Sequence, residues 1–233
     1  MAKKQYWLVV DTETTITDKV VDFGAAVVDR TGKVFHQCAV MVGGIFTVDP
    51  LFYNPKDSDG IWAKASIQRR TDAYNEMVKN GTRMVASVSA INRWLEKAAG
   101  KYNPELTAYN LSFDASKCKN TGIDLNMFNS RFCLWHAAAS NICGTKKYRE
   151  FILNNHLFNP PTEKGNMTFQ TNAEVVAGYL NGQITDEPHT AIEDILGFEV
   201  PILTHILKKK NWRNNMTAYS WNNFQVKDHY VAK

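Results

Sequence analysis

Asp11 and Glu13 stand two residues apart where the apolar stretch WLVVDTETTI (7–16) ends. In a strand, positions two apart share a face, so both carboxylates point the same way if extended backbone continues to Glu13. Neighbouring carboxylates repel, and in apolar surroundings that repulsion costs stability or raises a pKa. A divalent cation removes the conflict. Mg²⁺ and Mn²⁺ prefer oxygen ligands, and one or two carboxylates plus substrate phosphates are the usual Mg²⁺ set. A second stretch, TAYNLSFDAS (107–116), ends an apolar run at Asn110 and opens helix-like sequence at Phe113 and Asp114. A third, PHTAIEDILGF (188–198), places His189 five residues before Asp194. Five residues turn ~140° around a helix. His189 therefore reaches the side that Asp194 faces only from just before the first turn, and Pro188 favours a boundary there.

Each stretch alone has a plainer reading. D-x-E also marks a strand leaving the core. Ser112 and Asp114 also suit a helix cap and its first turn, and the third stretch suits an exposed helix start carrying acids on its dipole. Together they weigh differently, because each falls at a strand end or helix start, where a scaffold presents side chains. The order Asp, Glu, Asp, His, Asp makes an oxygen-rich site for two cations beside one imidazole, which suits metal-assisted phosphodiester hydrolysis. His136, His156, His205 and His229 have no such partners.

The elements that must position these residues are legible in outline. The chain has 233 residues, 44% of them hydrophobic and 21% charged, enough for a sizeable core and unlike a disordered or fibrous chain. YWLVV (6–10), VVDFGAAVVD (20–29) and KVFHQCAVMV (33–42) read as strands, the last two joined by a tight turn at DRTG. Residues 43–60 read as a long loop, and 62–80 and 85–100 as helices stopped by Gly81 and Gly100. A short strand at 106–110, a helix from about 113 and a fifth strand at 131–135 follow. Helices are expected over 136–155 and 172–181, with a last one over 190–209 kinked at Pro201. The loop 157–170 is the best candidate for a mobile segment. The class is α/β, a mixed sheet flanked by helices.

The net charge of +4 and a pI near 8.8 fit an anionic partner without demanding one. Cys38, Cys118, Cys133 and Cys143 form no CxxC pair and read as reduced thiols. Cys133, His136 and Cys143 match no standard zinc spacing. The start MAKKQYWLVVD lacks the form of a signal peptide, and no window approaches the length of a membrane-spanning helix. A cytoplasmic protein is expected.

DTETT (11–15), NLSFD (110–114) and HTAIED (189–194) resemble the three exonuclease motifs of the DEDDh 3′–5′ exonucleases. That superfamily includes the proofreading subunit of bacterial replicative DNA polymerase, ribonuclease T, oligoribonuclease and the Trex enzymes. The resemblance covers roughly residues 5 to 208, and the order and separation of the motifs are similar to the family's. In the Tyr-bearing sister branch, Tyr stands four residues before the last Asp, a position that is Thr190 here. Tyr109 stands where several relatives have His, and Asp22 where Glu is commoner; neither belongs to the metal set.

The resemblance implies a ribonuclease H-like fold with a five-stranded mixed sheet. It implies two Mg²⁺ or Mn²⁺ ions held by Asp11, Glu13, Asp114 and Asp194, with Asp11 bridging both and His189 as general base. Thr12, Thr14 and Thr15 would lie against the terminal nucleotide. Asn110 and Phe113 would touch sugar or base, although Phe113 also suits a core position. The implied activity is 3′–5′ hydrolysis of single-stranded nucleic acid, DNA ahead of RNA, to 5′-mononucleotides. The alternatives are an exoribonuclease acting on short RNA or RNA 3′ ends, and a non-catalytic nucleic-acid-binding or polymerase-associated module. A DNA polymerase or a second copy of the chain is the implied protein partner. Residues 1–210 would form the exonuclease domain, with 211–233 as a tail on it. In the tail, Lys208, Lys209, Lys210 and Arg213 interleave with Trp212, Tyr219, Trp221 and Phe224. That pattern suits a single-strand groove or, more simply, a basic helix end followed by aromatics packing back. The stretch IQRRTDAY (67–74) has the same two readings.

Overall fold

The computed structural model describes residues 4–51, 61–214, 216 and 220–226; the side chains of 61–66 and of Trp221 lie outside that description, as does Tyr219. Strands β1 (Tyr6–Thr14), β2 (Val20–Asp29) and β3 (Val34–Val42) form an antiparallel meander. The β2–β3 turn closes on itself: Asp29 Oδ1 accepts the Thr31 N–H at 2.9 Å, and Gly32 takes a φ of +84° that a side chain would resist. Next come α1 (Ile61–Lys79), β4 (Met84–Ala86), α2 (Val88–Tyr102), β5 (Glu105–Ala108) and α3 (Leu111–Thr121). Ser87 caps α2 by accepting the Ala90 N–H, and Ile91, Leu95 and Ala98 form its buried stripe.

The sheet order is β4-β3-β2-β1-β5-β6, with β6 at Arg131–Cys133. β5 and β6 run parallel to β1, and β4 runs parallel to β3. The expected mixed sheet flanked by helices is present, with six strands where five were expected. The additional strand, β4, has three residues, of which Met84 and Val85 are exposed, so it carries no apolar alternation to mark it.

β1 and β2 are buried on both faces, as continuous apolar runs require. Trp7 and Val9 join a cluster with residues of α4 (Leu134–Ala138), α5 (Lys146–Asn154), α6 (Ala173–Asn181) and α8 (Val200–Leu207). Leu8 and Val10 join the opposite cluster with α2 and α3. By the two-residue period, Asp11 and Glu13 continue the Trp7–Val9 face.

Two expected helices are interrupted. The span 136–155 divides into α4, a π-helical turn at Ala139–Cys143 and α5, which starts after Gly144. The span 190–209 divides into α7 (Ala191–Asp194), a second π-helical segment at Ile195–Glu199, and α8. Pro201 sits in the first turn of α8. With no N–H to return to Gly197, it leaves the preceding turn free to widen instead of bending a continuous helix. Trp212 and Phe224 are buried in the Trp7 cluster and Arg213 pairs with Glu105, so these tail residues pack back on the sheet. A bridge from Phe158 to Phe169 ties together the ends of the 157–170 loop, and one from Thr168 to Gln225 joins the loop to the tail.

Candidate active site

The three acidic stretches meet at the carboxyl ends of the adjacent parallel strands β1 and β5. β1 stays extended through Thr14, with a register shift only after Glu13, so Asp11 and Glu13 share a face. Asp114 enters from the first turn of α3. The N-terminal cap position of α3 is Asn110, not Ser112; the Ser112 hydroxyl donates to Asn110 Oδ1 at 3.0 Å. Asp194 closes α7, its N–H bonded to the Thr190 carbonyl at 3.0 Å. His189 precedes that helix with a φ of +54°, a left-handed backbone rare for a non-glycine residue. The Tyr74 hydroxyl donates to the His189 carbonyl at 3.2 Å and holds this turn.

Asp11, Glu13, Asp114, His189 and Asp194 all line one pocket of about 210 Å³. Ligand atoms of Glu13, His189 and Asp194 lie within 4.8 Å of one another. Asn110 and Phe113 stand in the same pocket, and Phe113 is 41% exposed, so it is not a core residue. The three threonines are elsewhere. Thr12 is buried and donates to Asp114 Oδ1 at 2.8 Å, aiming that carboxylate. Thr14 and Thr15 are buried and do not line the pocket.

Burial sets the electrostatics. It lifts Asp11 well above the usual carboxylate range, with Glu199, Asp114, Glu13 and Asp194 adding repulsion. It pushes Glu13 to about 8 although Arg70, whose Nη2 lies 2.7 Å from Glu13 Oε2, pulls the other way. Burial also takes Asp114 and Asp194 to about 7. Burial and the Arg70 charge lower His189, so its imidazole is neutral at pH 7. Repelling acids of this kind are a poor arrangement for bare protein and a good one for hard divalent cations. Asp194 Oδ1 and Glu199 Oε2 fit the same chemistry: both are buried oxygens with no hydrogen-bond partner.

Reading the sequence missed several residues of this neighbourhood. Glu187 lines the pocket and is pushed to about 7 by burial and by Glu174. Glu199 lines it as well. An α-helix would turn Glu199 away from Asp194, five residues earlier, whereas the i→i+5 period of a π-helix brings it round. The only local signals are Gly197 and Pro201. Asp22, read as outside the metal set, faces Glu13 across the β1–β2 ladder. It accepts the Ala191 N–H at 3.0 Å and the Arg83 Nε–H at 3.3 Å. Arg83 is 2% exposed and also binds Glu193.

No family model and no curated protein matches the sequence. Among solved structures, the chain is similar to E. coli exonuclease I in complex with a 5cy-dT13 oligonucleotide, at 16% identity and a TM-score of 0.47, covering 92% of this chain and 42% of that one. It is also similar to exonuclease I in complex with the inhibitor BCBP, at 12% identity and a TM-score of 0.48, covering 92% and 43%. The chain thus spans about two fifths of the length of either structure.

Proposed function

We propose that the chain is a metal-dependent 3′–5′ exonuclease that hydrolyses single-stranded nucleic acid, DNA ahead of RNA, to 5′-mononucleotides. The carrying observation is the convergence of Asp11, Glu13, Asp114, His189 and Asp194, drawn from three distant stretches, on one small pocket. The direction of attack comes from the motif resemblance. A module that only binds nucleic acid has no use for repelling acids beside a phosphate.

Asp11, Glu13, Asp114 and Asp194 would hold two Mg²⁺ or Mn²⁺ ions. When bound, these would offset the charge that builds on the attacked phosphate and on the leaving oxygen. The neutral His189 imidazole takes one proton from the attacking water, a task its lowered pKa suits. The water oxygen joins phosphorus, the bond from phosphorus to the 3′ oxygen breaks, and that oxygen takes a proton from solvent to leave as a new 3′ hydroxyl, while His189 returns its proton to solvent. Thr12 keeps Asp114 aimed through the reaction. Phe113, exposed at the mouth, offers a ring on which any base can stack, and Asn110 beside it can bond the sugar.

The test is degradation of matched DNA and RNA oligonucleotides, labelled at either end, with Mg²⁺, with Mn²⁺ and with chelator. A metal-dependent loss of 3′-terminal mononucleotides from DNA is expected, abolished in Asp114→Ala and strongly reduced in His189→Ala. Unchanged rates in those variants overturn the site. Faster turnover of RNA selects the exoribonuclease, and binding without cleavage selects the non-catalytic module.

A further inference from the structure

Glu199, like Glu187, is an acid of the pocket that the mechanism above does not use. It ends the second π-helical segment, is 3% exposed and lines the same pocket as Asp11 and Asp114. Its two oxygens have different surroundings. Oε1 accepts the Tyr109 N–H at 3.1 Å, which ties the carboxylate to the end of β5. Oε2 is buried with no hydrogen-bond partner. The flanking side chains Ile195, Phe198 and Val200 are buried and apolar, so packing alone does not call for an acid here.

A glutamine would serve the Tyr109 N–H equally well without placing another acid beside Asp11 and Asp114. The π-helical segment points the same way. It departs from α-helical spacing at the residues separating Asp194 from Glu199, and such bulges are common at functional sites. Burying an acid with one unsatisfied oxygen is costly, and the cost is removed when a cation or a polar ligand meets that oxygen.

We propose that Glu199 is an additional cation-binding carboxylate at the Asp11–Asp114 side of the pocket, its Oε2 facing a divalent ion of the Mg²⁺ or Mn²⁺ class. The inference rests on the metal-dependent reading given above. It extends the acids named by the sequence motifs to a position that no motif marks. Oε1 fixes the direction of the carboxylate through the Tyr109 N–H, and the charge on Oε2 completes the environment of the ion.

The test is calorimetric titration of the nucleotide-free protein with Mn²⁺, alongside thermal unfolding in chelator. The wild type is expected to bind Mn²⁺, and Asp11→Asn to lose that binding. Glu199→Gln keeps the Tyr109 acceptor and the side-chain volume. In chelator it is expected to unfold at or above the wild-type midpoint, because an acid has left a repelling cluster. Its Mn²⁺ affinity is expected to fall on the order of tenfold or more, the range seen when support for a metal ligand is removed. Unchanged affinity and stoichiometry in E199Q overturn the assignment while leaving the exonuclease reading in place. A wild type that binds no Mn²⁺ overturns that reading, and this inference with it. Should E199Q fail to fold, Glu199→Asp, which keeps the charge but shortens the reach, takes its place; wild-type affinity there overturns the assignment too.

Discussion

Asp22 and Ala191 are 169 residues apart in sequence, yet the Asp22 carboxylate accepts the Ala191 N–H at 3.0 Å. That contact seats the first residue of α7 against β2 and so places His189 on one side of Ala191 and Asp194 on the other. Arg83 neutralises the same carboxylate from within the protein, with side-chain exposures of 1% and 0% for the pair. Burial nevertheless leaves the Asp22 pKa above its ordinary value.

Arg83→Met is the first prediction. Removing one partner of a buried ion pair leaves the other uncompensated, at a cost of about 3–5 kcal/mol. Arg83 also meets Glu193, but that side chain is 45% exposed and its share is small. Protonating Asp22 relieves the buried charge, so the loss should be smaller at low pH than at high pH. Urea unfolding of both proteins at about pH 5 and about pH 8 reads this out. Equal losses at both pH values would mean that Arg83 acts through packing instead.

Gly24 supplies a second prediction. It pairs with Asp11 across the β1–β2 ladder, and a Cβ there would lie 2.7 Å from the Ala191 carbonyl carbon. The obstructing atom is backbone, so a flexible side chain cannot yield. Gly24→Ala should destabilise the protein by about 1–3 kcal/mol, as overpacking does. It should also reduce cleavage well beyond the unfolded fraction, because α7 carries Asp194. Activity that only tracks the folded fraction would show that α7 can shift without harm.

The acid cluster predicts an inverted pH dependence of stability. Glu13 is pushed up to about 8, and Asp114, Asp194 and Glu187 to about 7. Unfolded carboxyls titrate near ~4. Between those values the folded chain holds more protons than the unfolded chain, so stability falls as pH rises. The contribution is complete below the unfolded pKa and is lost as pH rises through about 7 to 8. In chelator, the unfolding midpoint should drop steadily from about pH 5.5 to about pH 8.5. Mn²⁺ should flatten the decline, because it replaces the protons. A midpoint that rises across that range in chelator would contradict the cluster.

How much of this was legible in the sequence follows from the distances involved. The shared face of Asp11 and Glu13 needed only the two-residue period of a strand, and the placing of His189 before α7 needed only Pro188 and a five-residue offset. Both are local. β4 was lost because three mostly exposed residues carry no pattern. Glu199 was hidden by an α-helical count, which turns it away from Asp194 where a π-helical segment restores it. The Asp22–Arg83 pair spans 61 residues, and neither partner has a neighbour that announces the other. The motif resemblance implies a nucleotide contact for Thr12, whereas its bond to Asp114 depends on how α3 packs against β1.

Tyr74 provides the last prediction. It is 1% exposed, and burial raises its pKa far enough that the phenol stays a hydrogen-bond donor at any working pH. The phenol hydroxyl donates to the His189 carbonyl at 3.2 Å. His189 holds a left-handed backbone, which persists only where the surroundings enforce it. Tyr74→Phe keeps the ring in its apolar setting and removes the donor. The expected stability cost is about 0.5–1.5 kcal/mol, the net worth of one hydrogen bond. The kinetic effect should be larger and confined to kcat, because the imidazole loses its fixed position while the metal carboxylates keep theirs. Mn²⁺ affinity and KM should stay near wild type, whereas His189→Ala should lose about 10²–10⁴ in rate. Measuring kcat, KM and Mn²⁺ binding on one preparation separates the outcomes. A Tyr74→Phe variant with full kcat would show that the His189 turn stands without this bond.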